Sequence, residues 1–280
     1  MYYRTKYVKI TTMIKIIALD IDGTLLNDRK EILEETKQYL TGAMKAGIKV
    51  VIASGRPVEG IVRFADELGM KEYDSYIISF NGGKIVNYHT GEVICNRTLD
   101  REMTEKIYHL SKNYAVTLMT YKDRDLITEN GNDEYARSGA KINMLRLHVV
   151  ENLLEYIDYP VNKFLMVADG DYLGSIEPEV KEKLGGRTSV YRSEPYYLEI
   201  MPQGTDKGTA LEYLVGYLGY ERENLMAFGD GYNDSTMIEY AGLGIAMGNA
   251  CDEVKEAADY ITLSNNEGGI VYALKQFQVV

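Results

Sequence analysis

Ile14-Lys-Ile-Ile-Ala-Leu-Asp20-Ile-Asp22-Gly23-Thr24-Leu25-Leu26 is an almost wholly apolar run that ends abruptly in two carboxylates and a glycine. A run this short, closed by a turn signal, reads as a strand buried on both faces of a parallel sheet. Both aspartates then stand at the carboxyl end of a strand, where open α/β sheets bind their ligands. They flank Ile21, so while the chain stays extended their side chains point to the same side. Gly23 lets the backbone turn sharply and approach a bound group, and Thr24 offers a hydroxyl and an amide to an anion. The set suits a metal ion together with a phosphoryl group. Taken alone it is equally consistent with a strand followed by an Asx-type turn, so the rest of the chain decides.

Downstream, Leu33, Thr36, Leu40, Ala43 and Met44 recur at helical spacing before Gly47, and Ile48 to Ala53 is the next buried strand. That strand ends in Ser54-Gly55-Arg56, with Pro57 opening a helix whose core stripe is Val58, Ile61, Val62, Ala65 and Leu68. Tyr76 to Phe80 is a third strand, meeting a turn at Asn81-Gly82-Gly83. A β-α-β-α-β series predicts a parallel sheet whose strand ends lie along one edge.

At Lys84 the rhythm changes. Lys84 to Tyr88 and Glu92 to Asn96 flank His89-Thr-Gly91 as a β-hairpin, Asp100 caps a helix to about Asn113, and Ala115 to Tyr121 is a strand. From there to Tyr159 the pattern is mixed and turn-rich. Lys163 to Ala168 is strand-like, Glu177 to Leu184 is a helix with Pro178 near its start, and Thr188 to Arg192 is another strand. The block 84–193 therefore reads as a domain inserted between the two parts, 1–83 and 194–280, of a discontinuous α/β core. In the second part, Tyr197 to Met201 is extended, Lys207 opens a helix, and Asn224 to Phe228 is a strand ending in Gly229-Asp230-Gly231-Tyr-Asn233-Asp234. Strands at Gly244 to Met247 and Tyr260 to Leu263, with a closing helix from Gly269, complete the pattern.

Composition narrows the function classes. The 280 residues are 45% hydrophobic and carry a formal charge of -11, which argues against a nucleic-acid partner. No run approaches the roughly 18 apolar residues of a membrane helix, and the opening dozen residues have no signal-peptide pattern, so no membrane association and a cytoplasmic location are expected. Met13 immediately precedes the first strand, which marks Met1 to Thr12 as a dispensable extension or alternative start. Cys95 and Cys251 lack metal-ligand spacing and read as free thiols, and His89, His109 and His148 do not cluster.

Four carboxylates converge at predicted strand ends: Asp20, Asp22, Asp230 and Asp234. Without a cation they would raise one another's pKa. A hard, oxygen-seeking ion answers this, and Mg2+ is the expected cofactor. With Mg2+ and Lys207 the site stays about one charge negative, which Arg56 could offset. Asp is a competent nucleophile toward phosphorus, and a second acid, Asp22, would protonate the leaving alkoxide and later activate water. The plainer alternatives stay open for the supporting residues. Ser54 could be a turn hydroxyl, although Gly55 beside it frees amides for an anion. Lys207 could be a solvated lysine, although a cation at a positive helix end suggests a task on an anion. Arg56 divides between a surface ion pair and a substrate contact, Asn81 between turn former and ligand contact, and Asn233 among helix cap, phosphate contact and neither.

In order and in context, Asp20-x-Asp22-Gly23-Thr24-Leu25, Ser54-Gly55-Arg56, Lys207-Gly208 and Gly229-Asp230-x-x-Asn233-Asp234 resemble the four motifs of the haloacid dehalogenase superfamily of phosphohydrolases. The position and length of the insert, with Tyr197-Leu-Glu-Ile-Met-Pro202 leading into Lys207, resemble the Cof-like branch with a type IIB cap. The resemblance spans the chain after Met13 and implies an α/β fold, a Rossmann-like parallel-sheet core with an inserted α/β cap. It further implies that Asp20 is phosphorylated and that Asp22 is general acid and base. Ser54 and Lys207 would bind the transferring phosphate, Asn233 would contact it, and Asp20, the main-chain carbonyl of Asp22 and Asp230 would hold Mg2+ with Asp234 in support. The expected activity is Mg2+-dependent hydrolysis of small phosphorylated metabolites, sugar phosphates foremost, by a monomer or weak homodimer. A phosphomutase of the same superfamily and a non-catalytic phosphate-binding protein are the alternatives.

Overall fold

The computed structural model describes residues 13–279, so the expectation for Met1 to Thr12 lies outside the described residues. One compact unit comprises the residues up to Gly55, Ile61–Ile94 and those from Asp206 onward, and a second comprises Arg56–Gly60 and Cys95–Thr205. In chain order the first part of the chain contains β1 (Ile16–Leu19), α1 (Glu34–Lys45), β2 (Lys49–Ala53), α2 (Val58–Glu67), β3 (Tyr76–Ser79), β4 (Lys84–Asn87) and β5 (Val93–Asn96). The middle adds α3 (Arg101–Ser111), β6 (Thr117–Lys122), β7 (Asp125–Thr128), α4 (Glu134–Ile142), β8 (Arg146–Val149), α5 (Leu153–Tyr156), β9 (Phe164–Val167), α6 (Gly170–Leu184), β10 (Thr188–Glu194) and β11 (Tyr197–Pro202). The last part holds α7 (Lys207–Tyr217), β12 (Leu225–Gly229), α8 (Ser235–Tyr240), β13 (Leu243–Ala246), α9 (Asp252–Ala257), β14 (Tyr260–Ile261) and α10 (Gly269–Gln276).

The first sheet has the order β14-β13-β12-β1-β2-β3-β4-β5. From β14 to β3 all pairings are parallel, which requires crossover helices and leaves the strands buried on both faces. Every residue of β1 is buried, as its apolar run demands. Strand order reverses at β1: β2 and β3 run outward on one side, β12 to β14 on the other. Such a reversal opens a crevice at the carboxyl ends of the strands on either side of it, here β1 and β12. Because Leu19 registers with Phe228, Asp20 and Asp230 emerge next to each other at that crevice. The fold thus places chain segments some 210 positions apart at one point, by register alone.

Three strands fall on the other side of the expected boundaries. The hairpin β4 and β5, expected within the insert, extends the first sheet, with β4 antiparallel to β3. Conversely β11, expected to resume the core, pairs with β9 and β10 in the second sheet. A parallel sheet can continue into an antiparallel edge without any compositional break, so a change of rhythm at Lys84 does not mark a boundary.

The second sheet has the order β10-β11-β9-β6-β7-β8 and is antiparallel except between β7 and β8. On one face Leu118, Phe164, Met166, Leu198 and Ile200 pack with Ile107 of α3 and Leu173, Ile176, Val180 and Leu184 of α6. On the other face Met119, Leu165 and Val167 meet Ala136 and Ala140 of α4. Each large side chain so buried contributes about 1.5–3 kcal/mol. Helix α6 begins well before the expected Glu177, because Asp169 caps it by accepting from the amides of Asp171 and Tyr172. Pro178 lies inside it on an exposed position, where a missing backbone donor is tolerated more easily than against the sheet. Among the described residues no helix is long and apolar enough to cross a membrane.

Candidate active site

Lys207 is the first residue of α7, with Asp206 as its cap, and its side chain is fully buried. Burying an ammonium is prohibitively unfavourable without partners. Its Nζ donates to Asp20 Oδ1 and Asp234 Oδ1, both at 2.6 Å. Asp20 follows β1; Asp230 and Asp234 belong to the loop and short turn after β12. Asp234 uses its other oxygen, Oδ2, to accept from the amides of Asp230 and Gly231, each at 2.9 Å, so it locks both the loop and the lysine. Asp230 Oδ1 in turn accepts from the Thr24 hydroxyl at 2.6 Å. Gly23 has φ +85°, and a Cβ there would lie 2.2 Å from Asp230 Oδ2, so only glycine lets the two strand ends approach. A Cβ at Gly208 would meet the Thr236 carbonyl oxygen at 2.5 Å, and its absence lets α7 seat Lys207 against α8.

One oxygen from each of Asp20, Asp230 and Asp234 lies within 4.8 Å of the others. Three carboxylates face one ammonium, and two of them, Asp20 and Asp230, are shifted. Burial lifts the Asp20 pKa to about 8, Lys207 opposes the rise, and Asp234 and Asp230 add to it. Burial lifts Asp230 to about 6 against the Thr24 hydrogen bond, with repulsion from Asp234 contributing. Burial alone would lower Lys207, but Asp20 and Asp234 outweigh it and hold its pKa above the ordinary lysine value. A buried all-oxygen donor set, in which burial first and neighbouring carboxylates second push Asp20 and Asp230 toward neutrality, fits a hard divalent cation such as Mg2+.

The remaining sequence-predicted residues divide. The Asp22 carboxylate lies outside the trio, is 40% exposed, and pairs with Lys30 Nζ at 2.9 Å. Ser54 is buried at the end of β2, its amide donating to the Ile78 carbonyl and its carbonyl accepting from the Asn81 amide. Asn81 is buried at φ 50°, next to Phe80 at φ 51°, and its Oδ1 accepts from Asn233 Nδ2 at 3.0 Å. Gly55 permits that approach, since a Cβ there would touch the Asn81 amide group at 3.0 Å. Asn233 is thereby brought to Asn81. The Thr24 hydroxyl, expected to face an anion, is engaged by Asp230 instead. Arg56 groups with the second unit and donates to the Ile142 carbonyl at 3.2 Å, and the charges acting on Asp20 are Lys207, Asp234 and Asp230.

Two residues that brace the loop after β1 carry no motif. Asn249 Nδ2 donates to the Gly23 carbonyl, Asn249 Oδ1 accepts from the Asn265 amide, and Asn265 Nδ2 donates to the Leu26 carbonyl. Asparagines in loops read as turn formers, so nothing local marks them as cross-braces.

The chain matches the family profile described as haloacid dehalogenase-like hydrolase over residues 17–274. It is 34% identical over 266 residues to the 5-amino-6-(5-phospho-D-ribitylamino)uracil phosphatase YcsE of Bacillus subtilis, covering 94% of this chain and 96% of the relative. Among solved structures, a haloacid dehalogenase-like hydrolase from Bacteroides thetaiotaomicron is similar at a TM-score of 0.90 and 42% identity, over 94% of this chain and 99% of that one. The HAD subclass IIB sugar phosphatase BT4131 is similar at a TM-score of 0.81 and 25% identity, over 95% of this chain and the whole of that one.

Proposed function

The chain belongs to the haloacid dehalogenase-like hydrolases and is a phosphoric monoester hydrolase of that family, and on this premise we propose that it cleaves small phosphorylated metabolites, sugar phosphates foremost, with Mg2+ as cofactor. The observation that carries the proposal is Lys207, fully buried and bonded to Asp20 and Asp234 where β1 and β12 end. A buried cation held by two carboxylates is poised to meet the oxygens of a phosphoryl group at the moment Asp20 attacks it.

The steps follow from the chain's own groups. Asp20 forms a bond to phosphorus as the ester P–O bond breaks, and Asp22 delivers a proton to the departing alkoxide oxygen. Asp22, now a carboxylate, takes a proton from water as the water oxygen bonds to phosphorus and the acyl phosphate breaks, returning Asp20 and inorganic phosphate. Ser54, Asn233 and the amides near Gly23, Thr24 and Gly55 would hold the phosphoryl oxygens, with Asn81 steadying Asn233. Mg2+, held by Asp20, Asp230 and the main-chain carbonyl of Asp22 with Asp234 in support, would neutralise charge on the phosphoryl oxygens. The ribityl phosphate in the name of one relative and the sugar phosphatase among the structural neighbours both favour a polyhydroxylated leaving group.

The test is phosphate release from a panel of sugar, polyol, nucleotide and amino-acid phosphates in Mg2+. Preferred turnover of sugar or polyol phosphates is expected. No release from any ester, or an isomerised sugar phosphate in place of free phosphate, overturns the proposal.

A further inference from the structure

Lys30 belongs to none of the four motifs, yet three observations converge on it. Its backbone is left-handed, φ 62°, a region that favours glycine and asparagine over a long side chain. The turn that carries it is braced from both sides. Leu26 and Ile32 form an antiparallel bridge, the Asn27 amide donates to the Glu31 carbonyl, and the buried Asn27 side chain accepts from the amides of Arg29 and Glu31. Asn265 also donates to Asp28, whose amide donates to Asn266, so the turn is fastened to the segment before α10. From that rigid tip Lys30 Nζ donates to Asp22 Oδ1 at 2.9 Å.

Glycine would occupy this position without strain, and an ion pair between side chains 58% and 40% exposed adds little to stability. Neither backbone nor stability therefore accounts for a lysine here. We propose that Lys30 is a positioning residue for Asp22. By gripping one carboxyl oxygen from a fixed turn, it sets the plane of the group so that the proton on the other oxygen meets the leaving oxygen as the ester bond breaks. The inference rests on Asp22 being the proton donor, and its test separates the two.

The readout is kcat/KM for an unactivated alkyl phosphate and for p-nitrophenyl phosphate, whose leaving group departs with little need of a proton. This ratio reports the steps up to the first irreversible one, here transfer to Asp20. In Lys30→Met the alkyl-to-aryl ratio of kcat/KM should fall by about 10-fold or more, within the range general acids contribute, and Lys30→Arg should restore most of it. Lys30→Gly, which keeps the turn without strain, should fold at least as well as the parent and show the same fall. Asp22→Asn should show a larger fall in the same ratio. If Asp22→Asn discriminates and Lys30→Met does not, or if Lys30→Met lowers both substrates equally, the positioning role is wrong and Lys30 acts on substrate charge or on the loop. If Asp22→Asn itself fails to discriminate, the donor assignment falls, and the role of Lys30 with it.

Discussion

The two buried lysines among the described residues keep opposite company. Lys207, in the first unit, is bonded to Asp20 and Asp234 while Asp230 stands within reach of both, so acid is in surplus. Lys163, in the second unit, is 3% exposed, meets the buried Glu199 at 3.3 Å, and lies over the Tyr121 ring. A buried pair with matched charges holds a sheet face together and asks nothing of solvent or ligand. A buried cluster with excess negative charge is a standing demand for a cation or for protons, and that demand is what a phosphoryl-transfer site supplies to its metal and substrate. The same side-chain chemistry thus stands as one carboxylate to one buried cation in one sheet and as three to one in the other, and stoichiometry is the difference.

The sharpest break between the two is substitution of each lysine. Lys207→Met leaves three carboxylates facing one another, and it should lower activity by about 10³-fold or more through loss of charge on the phosphoryl group. In the metal-free protein at pH 8 it should also remove about 3–5 kcal/mol of stability, read from urea midpoints. The double variant Lys163→Met with Glu199→Leu removes a matched pair and should stay within about 1 kcal/mol of the parent. Equal losses from both would erase the distinction.

A second test uses pH. Asp20 and Asp230 have folded pKa values, about 8 and about 6, above their ordinary value, so the folded state binds more protons than the unfolded chain between those limits. The stability they contribute is complete below about pH 4 and is lost as pH rises through about 6 and then about 8. Thermal melts of the metal-free protein should therefore fall between pH 6 and pH 8, most steeply near 6 where both groups still hold protons, and level off above 8, and millimolar Mg2+ should flatten that fall. A metal-free melting temperature that rises over this range contradicts the surplus-charge description.

The smallest effect expected is at Thr24. Its hydroxyl donates to Asp230 at 2.6 Å and favours the charged carboxylate, so Thr24→Val should raise the pKa of Asp230. Mg2+ affinity, followed by the melting shift at pH 6.5, should weaken a few-fold, with little loss above pH 8. An unchanged affinity would mean that Asp230 needs no help to ionise.

Much of the first unit was legible because its strands are buried on both faces and end at carboxylates or glycines. The run Ile14 to Leu19 and the turn after Phe228 announce themselves, and sheet register then converts two distant motifs into neighbours. The second unit was harder because its signals are short. Strands β7 and β8 have four residues each and α4 has nine, too few for a period to emerge between 122 and 159. Pro178 disguised a helix that starts at Gly170, and the alternation Tyr197, Glu199, Met201 states that β11 is a strand without stating which sheet it joins. Within the site, the bridging of Asp20 and Asp234 by Lys207 follows from topology that four motifs imply together. The left-handed turn at Lys30 and the Asn249 and Asn265 braces depend on contacts across more than 200 positions for the asparagines, and on a backbone angle for the lysine, neither of which a local pattern encodes.

The most direct measurement is an acid-quenched turnover in Mg2+ with a preferred sugar phosphate, followed by digestion and mass analysis of the peptide containing Asp20 to Lys30. A phosphoryl group on Asp20 in the parent enzyme, absent from Asp20→Asn together with its activity, is the predicted result. Turnover with no phosphorylated aspartate at any time point, or a phosphoryl group on a different residue, would contradict the account.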